Sequence, residues 1–139
     1  MARTTFNGPV ASQNGFISGH QVTTDNAINA TATATAAQVA TGYLTSTSAA
    51  PTTITLPTGT ALGTQLGATR GTTLDLYIDN TAGASAVTIA ANTNAVVSTA
   101  GVDSAASFGD LTVASGATGL ARYTLMFSSA TAYAFTRTA

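Results

Sequence analysis

The sequence predicts an all-β fold, a jelly-roll-like sandwich or barrel with one short helix and an extended N-terminal arm. Short segments alternate apolar and polar residues, as strands with one buried face do. Turn-forming Gly, Pro and Asn residues separate these segments at short intervals, which is typical of sandwiches and barrels. Only residues 58–66 show a helical spacing of apolar side chains.

Residues 1–35 are predicted to form the arm and residues 36–139 the β-domain. The arm contains Asn-Gly twice and a Gly-Pro step, so it favours tight turns and holds few large apolar residues. We expect it to lie along a neighbouring surface, with a floppy tail as the alternative. The candidate contact residues for that surface are Phe6, Val10, Phe16 and Ile17.

Two segments that precede the clearest strands differ in how well the sequence defines them. Thr and Ala alternate over residues 31–39, which fits either a weak strand or a short helix because the two residue types prefer different structures. Residues 51–57 place Ile54 and Leu56 on one face and carry a proline at each end. That arrangement predicts an edge strand, where a missing amide is tolerated.

The helix is predicted over residues 58–66. Leu62 and Leu66 are four residues apart and therefore share one face of a helical turn. Thr58 is a suitable N-cap, and Gly67 can end the helix in a left-handed conformation.

A hairpin is predicted after this helix. In residues 72–79 the three apolar side chains alternate with polar ones, so Asp75 and Asp79 should share the outward face. Asn80 begins a turn of the sequence NTAGA, and Val87 and Ile89 resume the alternation in a partner strand.

The chain is predicted to close with a second hairpin, residues 120–127 against 132–137. Its register should set Phe127 opposite Tyr133 and Leu125 opposite Phe135, with all four buried, because a slip of one residue would turn every side chain to the opposite face. Two shorter strands are expected near residues 96–97 and 111–113, joined by a loop into which Phe108 packs.

The composition excludes several classes of function. The nine charged side chains are all Arg or Asp, the net charge is −1, and Ala and Thr supply 29 positions each. Four isolated arginines form no basic patch, so we expect no nucleic-acid binding. No apolar run approaches the roughly 18 residues of a membrane span, and the N-terminus does not resemble a secretory signal. A small core with little surface charge favours an oligomer.

Few residues could support chemistry, and we expect neither an enzyme nor a metal or cofactor site. His20 is the only histidine and nothing positions a nucleophile beside it. Asp75 and Asp79 should lie about 13 Å apart along one strand, too far to share an ion by themselves. Asp103 or Asp110 could complete a calcium site with one of them, although turn and surface roles are the expectation for all four.

Threonine alternation also suggests an ice-binding surface, in which flat rows of Thr order water. That function needs a repeat that stacks Thr-x-Thr rows over several coils, and the sequence has none. Solvent-facing Thr on ordinary strands is therefore the expectation.

An ordered set of motifs runs through the chain and opens in the arm. Its members are Phe6-Asn-Gly-Pro-Val10, Asn14-Gly-Phe16, Ile54-Thr-Leu-Pro-Thr58, Leu62 with Leu66-Gly67, Leu74 to Ala84 ending in NTAGA, and Val87-Thr-Ile-Ala90. In order and spacing the set resembles small capsid decoration (cement) or head-fibre proteins of tailed bacteriophages. The resemblance covers roughly residues 40–137 and the opening of the arm.

The resemblance implies a structural virion protein, a homotrimer seated on the outer capsid surface that binds the major capsid protein and clamps adjacent subunits. It brings no catalytic residues. The alternative is a head-fibre or tail-fibre domain that binds host-surface glycans. Such a domain should display exposed aromatic side chains near Asn or Asp, for which Tyr43 and Tyr77 are the outward candidates.

Overall fold

The structure, a computed structural model, describes residues 26–97 and 111–139. Within these ranges the chain forms nine strands, two α-helices and a 3₁₀ turn at Gly116–Thr118. The helices are α1 (Ala36–Ala40) and α2 (Gly59–Leu66). The strands are β1 (Ala32–Thr33), β2 (Tyr43–Thr45), β3 (Thr52–Thr55), β4 (Thr73–Asp79), β5 (Val87–Ala90), β6 (Ala95–Val97), β7 (Thr112–Val113), β8 (Leu120–Ser129) and β9 (Ala132–Arg137).

These strands form two mixed sheets. One has five strands in the order β2-β4-β8-β9-β6, and the other has four in the order β1-β3-β5-β7. Pairs β1/β3, β2/β4, β3/β5 and β6/β9 are parallel, whereas β4/β8, β5/β7 and β8/β9 are antiparallel. The prediction of a β-rich fold with few helices is confirmed, and the described strands form no closed barrel.

The chain changes sheet at every step from β1 to β8. Odd-numbered strands up to β7 lie in the four-stranded sheet and even-numbered ones in the five-stranded sheet. Parallel neighbours such as β1 and β3 are therefore separated by a passage through the opposite sheet. Among the described strands, only β8 and β9 are consecutive in the chain and paired with each other.

A single hydrophobic cluster draws on both sheets. The four-stranded sheet contributes Ile54, Val87, Ile89 and Val113, and the five-stranded sheet contributes Leu44, Leu76, Ile78, Tyr123, Leu125, Phe127, Tyr133 and Phe135. Leu62 of α2, Val39 of α1 and Leu56, which follows β3, also belong to it. The inward-facing residues predicted from alternation are thus the core, except that Leu74 and Leu111 are only partly buried.

The C-terminal hairpin has the predicted register. Phe127 pairs with Tyr133 and Leu125 pairs with Phe135, and all four side chains are buried. The rings of Phe127 and Tyr133 have centroids 5.3 Å apart, which adds an aromatic contact to the ladder. A register shift follows between Phe127 and Ser129.

Helix α2 is also confirmed, with both of its predicted caps. The hydroxyl of Thr58 accepts a hydrogen bond from the amide of Ala61, and Gly67 ends the helix with φ 58° and ψ 42°. Leu62 is fully buried on the face that meets the core. Gly63 packs so tightly that a Cβ there would overlap the carbonyl oxygen of Ala130 in the turn between β8 and β9.

The predicted hairpin of β4 with β5 is wrong. The two strands lie in different sheets, so the NTAGA segment is a crossing between sheets and not a hairpin turn. Both strands alternate as predicted, but alternation does not determine which strand pairs with which. Asn80 itself is fully buried at this crossing, where a surface turn residue was expected.

The prediction that residues 51–57 form an edge strand is wrong as well. Strand β3 lies between β1 and β5 and pairs with both. Pro51 and Pro57 lie just outside its bounds, so neither removes a ladder hydrogen bond. Prolines at the ends of a short strand therefore do not distinguish an edge position from a central one.

The ambiguous segment of alternating Thr and Ala contains both of the predicted alternatives. It begins with β1 and continues into α1, which starts with a capping box formed by Thr35 and Gln38. The amide of Gln38 bonds to the Thr35 hydroxyl and the Thr35 amide bonds to the Gln38 side chain.

The last ten residues of the predicted arm, 26–35, lie against the β-domain. Ala27 bridges to Thr45 of β2, and Ile28 belongs to the hydrophobic cluster. Residues 1–25, which include the four candidate contacts Phe6, Val10, Phe16 and Ile17, lie outside the described residues. So does the loop that contains Phe108.

Candidate functional site

The outer face of the five-stranded sheet gathers most of the polar chemistry of the described residues. The described residues include five charged side chains, and three of them lie on this one face: Asp75, Asp79 and Arg122. Strand alternation places them there, because Leu76 and Ile78 of β4 and Ala121 and Tyr123 of β8 point into the core.

The two outward tyrosines lie on the same face. Parallel pairing of β2 with β4 sets Tyr43 directly beside Tyr77, and Arg122 of β8 is opposite Tyr77 on the other side. Both rings are partly exposed, whereas Tyr123 and Tyr133 are buried inside. We call Tyr43, Tyr77, Asp75, Asp79 and Arg122 the tyrosine site.

Hydrogen bonds fix one side of the tyrosine site. The hydroxyl of Tyr43 donates to Asp79 Oδ2 at 2.6 Å. The hydroxyl and amide of Thr81 donate to Asp79 Oδ1 at 2.6 and 3.0 Å. These bonds from Thr81 and Tyr43 lower the pKa of Asp79, and the bond to Asp79 together with burial raises the pKa of Tyr43. Near neutral pH a carboxylate and a protonated phenol are therefore held together.

The other side of the site retains unused hydrogen-bonding groups. Thr124 donates its hydroxyl to Asp75 Oδ1 at 2.7 Å, and Arg122 Nε donates to the hydroxyl of Thr138 at 3.1 Å. Within the described residues, Asp75 Oδ2 and the two Nη groups of Arg122 have no protein partner.

The opposite corner of the same sheet is apolar. Register places Met126 of β8, Ala134 of β9 and Val96 of β6 in one row across the outer face. Met126 is 56% exposed and Val96 61% exposed, although both are large apolar side chains. We call this row the apolar corner.

Two hollows flank Met126 at the apolar corner. The larger, of about 350 Å³, is lined by Arg70, Gly71, Met126, Phe127, Ser128 and Ala134. The smaller, of about 170 Å³, lies on the other side of Met126 against Phe135 and Thr136. A flat sheet face thus offers an apolar ridge with a depression on each side, a shape that can receive side chains of another protein.

The outer face of the four-stranded sheet carries a block of threonines. Thr33 pairs with Thr55, Thr53 pairs with Thr88, and Thr88 pairs with Thr112. These outward Thr side chains come from four strands that are separated in the sequence, so no sequence repeat predicts the block. The block lacks the many coils that a regular ice-binding array uses, and it bears no charged side chain.

The remaining sequence-predicted candidates separate into two groups. Asp75 and Asp79 share one face as predicted, and each has a hydroxyl partner of its own. His20, Asp103 and Asp110 lie outside the described residues. In residues 26–97 and 111–139 there is no group of three or more His, Cys, Asp or Glu that could hold a metal ion. No helix in those ranges is both long and apolar enough to span a bilayer.

Comparison with known proteins gives no relative for this arrangement. No protein-family profile, curated protein or solved structure matches the chain.

Proposed function

We propose that this chain is a structural virion protein that decorates the outer capsid surface, binding the major capsid protein and clamping adjacent subunits. The apolar corner is the observation that supports this function best. Met126 and Val96 expose apolar surface beside two hollows, and the described chain offers few charged side chains that a partner would have to desolvate. Interface cores are depleted of charged residues and enriched in Met and aromatic residues.

The proposed assembly is a homotrimer. A subunit of 13.7 kDa with one small core gains apolar burial by associating, at about 25 cal/mol per Å². Three linked copies also bind a symmetric capsid site with higher avidity than a single copy, provided that the geometry lets all three engage.

For the fold, we propose a β-sandwich of the jelly-roll-like type that the resemblance implies. The shared core of the two sheets supports the sandwich. Four of the seven strand pairs are parallel, whereas jelly rolls are built from antiparallel Greek keys. The proposed type is therefore a variant in which the first strands wind alternately through both sheets.

The test is decoration of capsids that lack this chain. We expect wild-type protein to run at about three times its chain mass in light scattering and to bind such particles. The Met126→Asp substitution should weaken particle binding at least tenfold, because it places a charge where a partner would desolvate it.

The matched control is Thr88→Asp, which adds the same charge at an exposed position on the opposite sheet. It should bind particles like wild type. A wild-type protein that fails to bind the particles would contradict the proposed function, and equal effects of the two substitutions would contradict the assignment to the apolar corner.

A further inference from the structure

The tyrosine site and the apolar corner occupy opposite corners of one sheet face. Tyr43 lies on β2, at one edge, and Val96 lies on β6, at the other. Tyr77 is also four residues further along β4 than Thr73, which pairs with Met126. From strand spacing and rise, Tyr77 lies roughly 14 Å from Met126, whereas Asp75 lies roughly 8 Å from it. A partner seated on the apolar corner therefore leaves the two tyrosine rings accessible, and Asp75 lies between the two regions.

We propose that the tyrosine site binds neutral carbohydrate, a function separate from capsid attachment. Two tyrosines with partly exposed rings are neighbours on adjacent strands, and residues bearing two carboxylates and a guanidinium occupy the positions around them. A pyranose ring has one face of C–H groups and a periphery of hydroxyls, so it needs an apolar surface to pack on and planar polar groups around that surface. The five residues of the site supply both.

The tyrosine rings provide the packing surface. Tyr43 and Tyr77 are direct neighbours across β2 and β4, about 4.8 Å apart at the backbone. The bond from Tyr43 to Asp79 holds the first ring in place before any ligand arrives, which reduces the conformational entropy lost on binding.

The charged groups provide the hydrogen bonds. Asp75 and Asp79 lie one step of roughly 6.7 Å before and after Tyr77 on the same side of β4, so a carboxylate borders each end of that ring. A carboxylate oxygen accepts up to two hydrogen bonds, and Asp75 Oδ2 has none from the described residues. The Nη groups of Arg122 add donors on the third side, so sugar hydroxyls meet both acceptors and donors.

The charge balance selects the ligand class. Two carboxylates face one guanidinium, which gives the site a net negative charge and disfavours sialylated or other acidic sugars. Both tyrosine rings are partly exposed and Asp75 is exposed, so these groups are accessible from solvent. We therefore assign it to neutral oligosaccharides that present a pyranose face, bound at the surface and not enclosed.

The experiment uses the full chain in solution, without capsids. An array of neutral oligosaccharides built from glucose, galactose, mannose and N-acetylglucosamine is screened beside acidic glycans, and the strongest neutral ligand is titrated by calorimetry. We expect the Tyr77→Ala substitution to weaken binding of that ligand at least tenfold, and Asp75→Asn to weaken it several-fold.

Two further variants keep the result interpretable. Asp75→Asn is nearly isosteric and lies at an exposed position, so it should fold normally. If Tyr77→Ala unfolds, the glycan affinity of Asp75→Asn tests the proposal. Val96→Asp, on the same face but at the far edge of the sheet, should leave glycan binding unchanged. Absence of any neutral ligand, a preference for acidic glycans, or unchanged binding by Asp75→Asn would each overturn the proposal. None of these outcomes bears on capsid decoration, which is measured separately.

Discussion

At the scale of single residues, Asn80 connects parts of the chain that are distant in sequence. Its side-chain amide donates to the carbonyls of Ser85 and Ala114 at 2.9 Å each, and its backbone N–H donates to the carbonyl of Gly119 at 2.7 Å. Its Oδ1 has no hydrogen-bond partner among residues 26–97 and 111–139, and it fills the position that a Cβ of Gly83 would occupy. The residue therefore fixes the crossing from β4 to β5 against the approach to β8.

Replacing Asn80 should consequently destabilise the fold. We expect Asn80→Ala to lower the free energy of unfolding by about 1–3 kcal/mol, because buried carbonyls lose their donor. The isosteric Asn80→Asp should cost more, since a carboxylate oxygen would face those carbonyls. Urea unfolding followed by circular dichroism measures both.

The control for this prediction is Asn29→Ala, the same change at an exposed asparagine that accepts one bond from the amide of Thr47. If Asn80→Ala costs no more than Asn29→Ala, the crossing does not depend on the buried amide. Sequence alone identified Asn80 as a turn residue and missed its burial, because the carbonyls that it binds come from segments whose placement depends on the whole fold.

At the scale of elements, the sequence predicted what is local and missed what is not. Helix α2 and the C-terminal hairpin were predicted with their caps and register, because capping residues and the pattern of a two-strand turn lie within a few positions. The pairing partners of β3, β4 and β5 were not predicted, because each of these strands pairs only with strands that are not consecutive with it in the chain. The tyrosine site shares this limit: alternation predicted that Tyr77 faces outward and Tyr43 was a second outward candidate, but only the parallel pairing of β2 with β4 brings them together.

The contact of α2 with the β8–β9 turn gives a prediction of unusual sign. Changing Gly to Ala inside a helix ordinarily stabilises it by up to about 1 kcal/mol. At Gly63 we expect the opposite, a loss of roughly 1–3 kcal/mol, because the new methyl group would overlap the carbonyl of Ala130 and force two backbones apart.

Thr64→Ala provides the comparison, one position further along the same helix and exposed. It should leave stability unchanged or raise it slightly, since Ala is the better helix former. Thermal unfolding of both variants is sufficient. A Gly63→Ala protein as stable as wild type would show that the helix does not pack on the turn.

At the scale of the whole molecule, the predicted arm packs on the β-domain in its last ten residues, 26–35. Ile28 is buried in the core, and the amide of Ile28 bonds to the carbonyl of Thr45 at 2.8 Å. A chain without residues 2–25 keeps both of these contacts and is the reference for stability. A chain without residues 2–30 should be less stable by about 1.5–3 kcal/mol, the value of burying one large aliphatic side chain.

The two truncations check each other. Equal stability of both would contradict a structural role for Ile28, and equal loss in both would place stabilising contacts upstream of residue 26. If the shorter truncation folds normally, its binding to undecorated particles then tests whether the arm that contains Phe6 and Phe16 contributes to attachment.

The alternation of strands between the two sheets has a consequence for the order in which the chain is made and folded. A ribosome releases β1 to β7 before it releases β8 and β9, yet that last hairpin supplies the second neighbour of β4 and the one described neighbour of β6. Until the final twenty or so residues have been synthesised, the early strands keep part of their apolar surface exposed to water. Non-local pairing of this kind slows folding and exposes the nascent chain to aggregation. Among the described strands, the closing hairpin is the one pair whose strands are consecutive in the chain, and it is rich in aromatic contacts. It can therefore form first, after which β4 pairs with β8 and β6 pairs with β9.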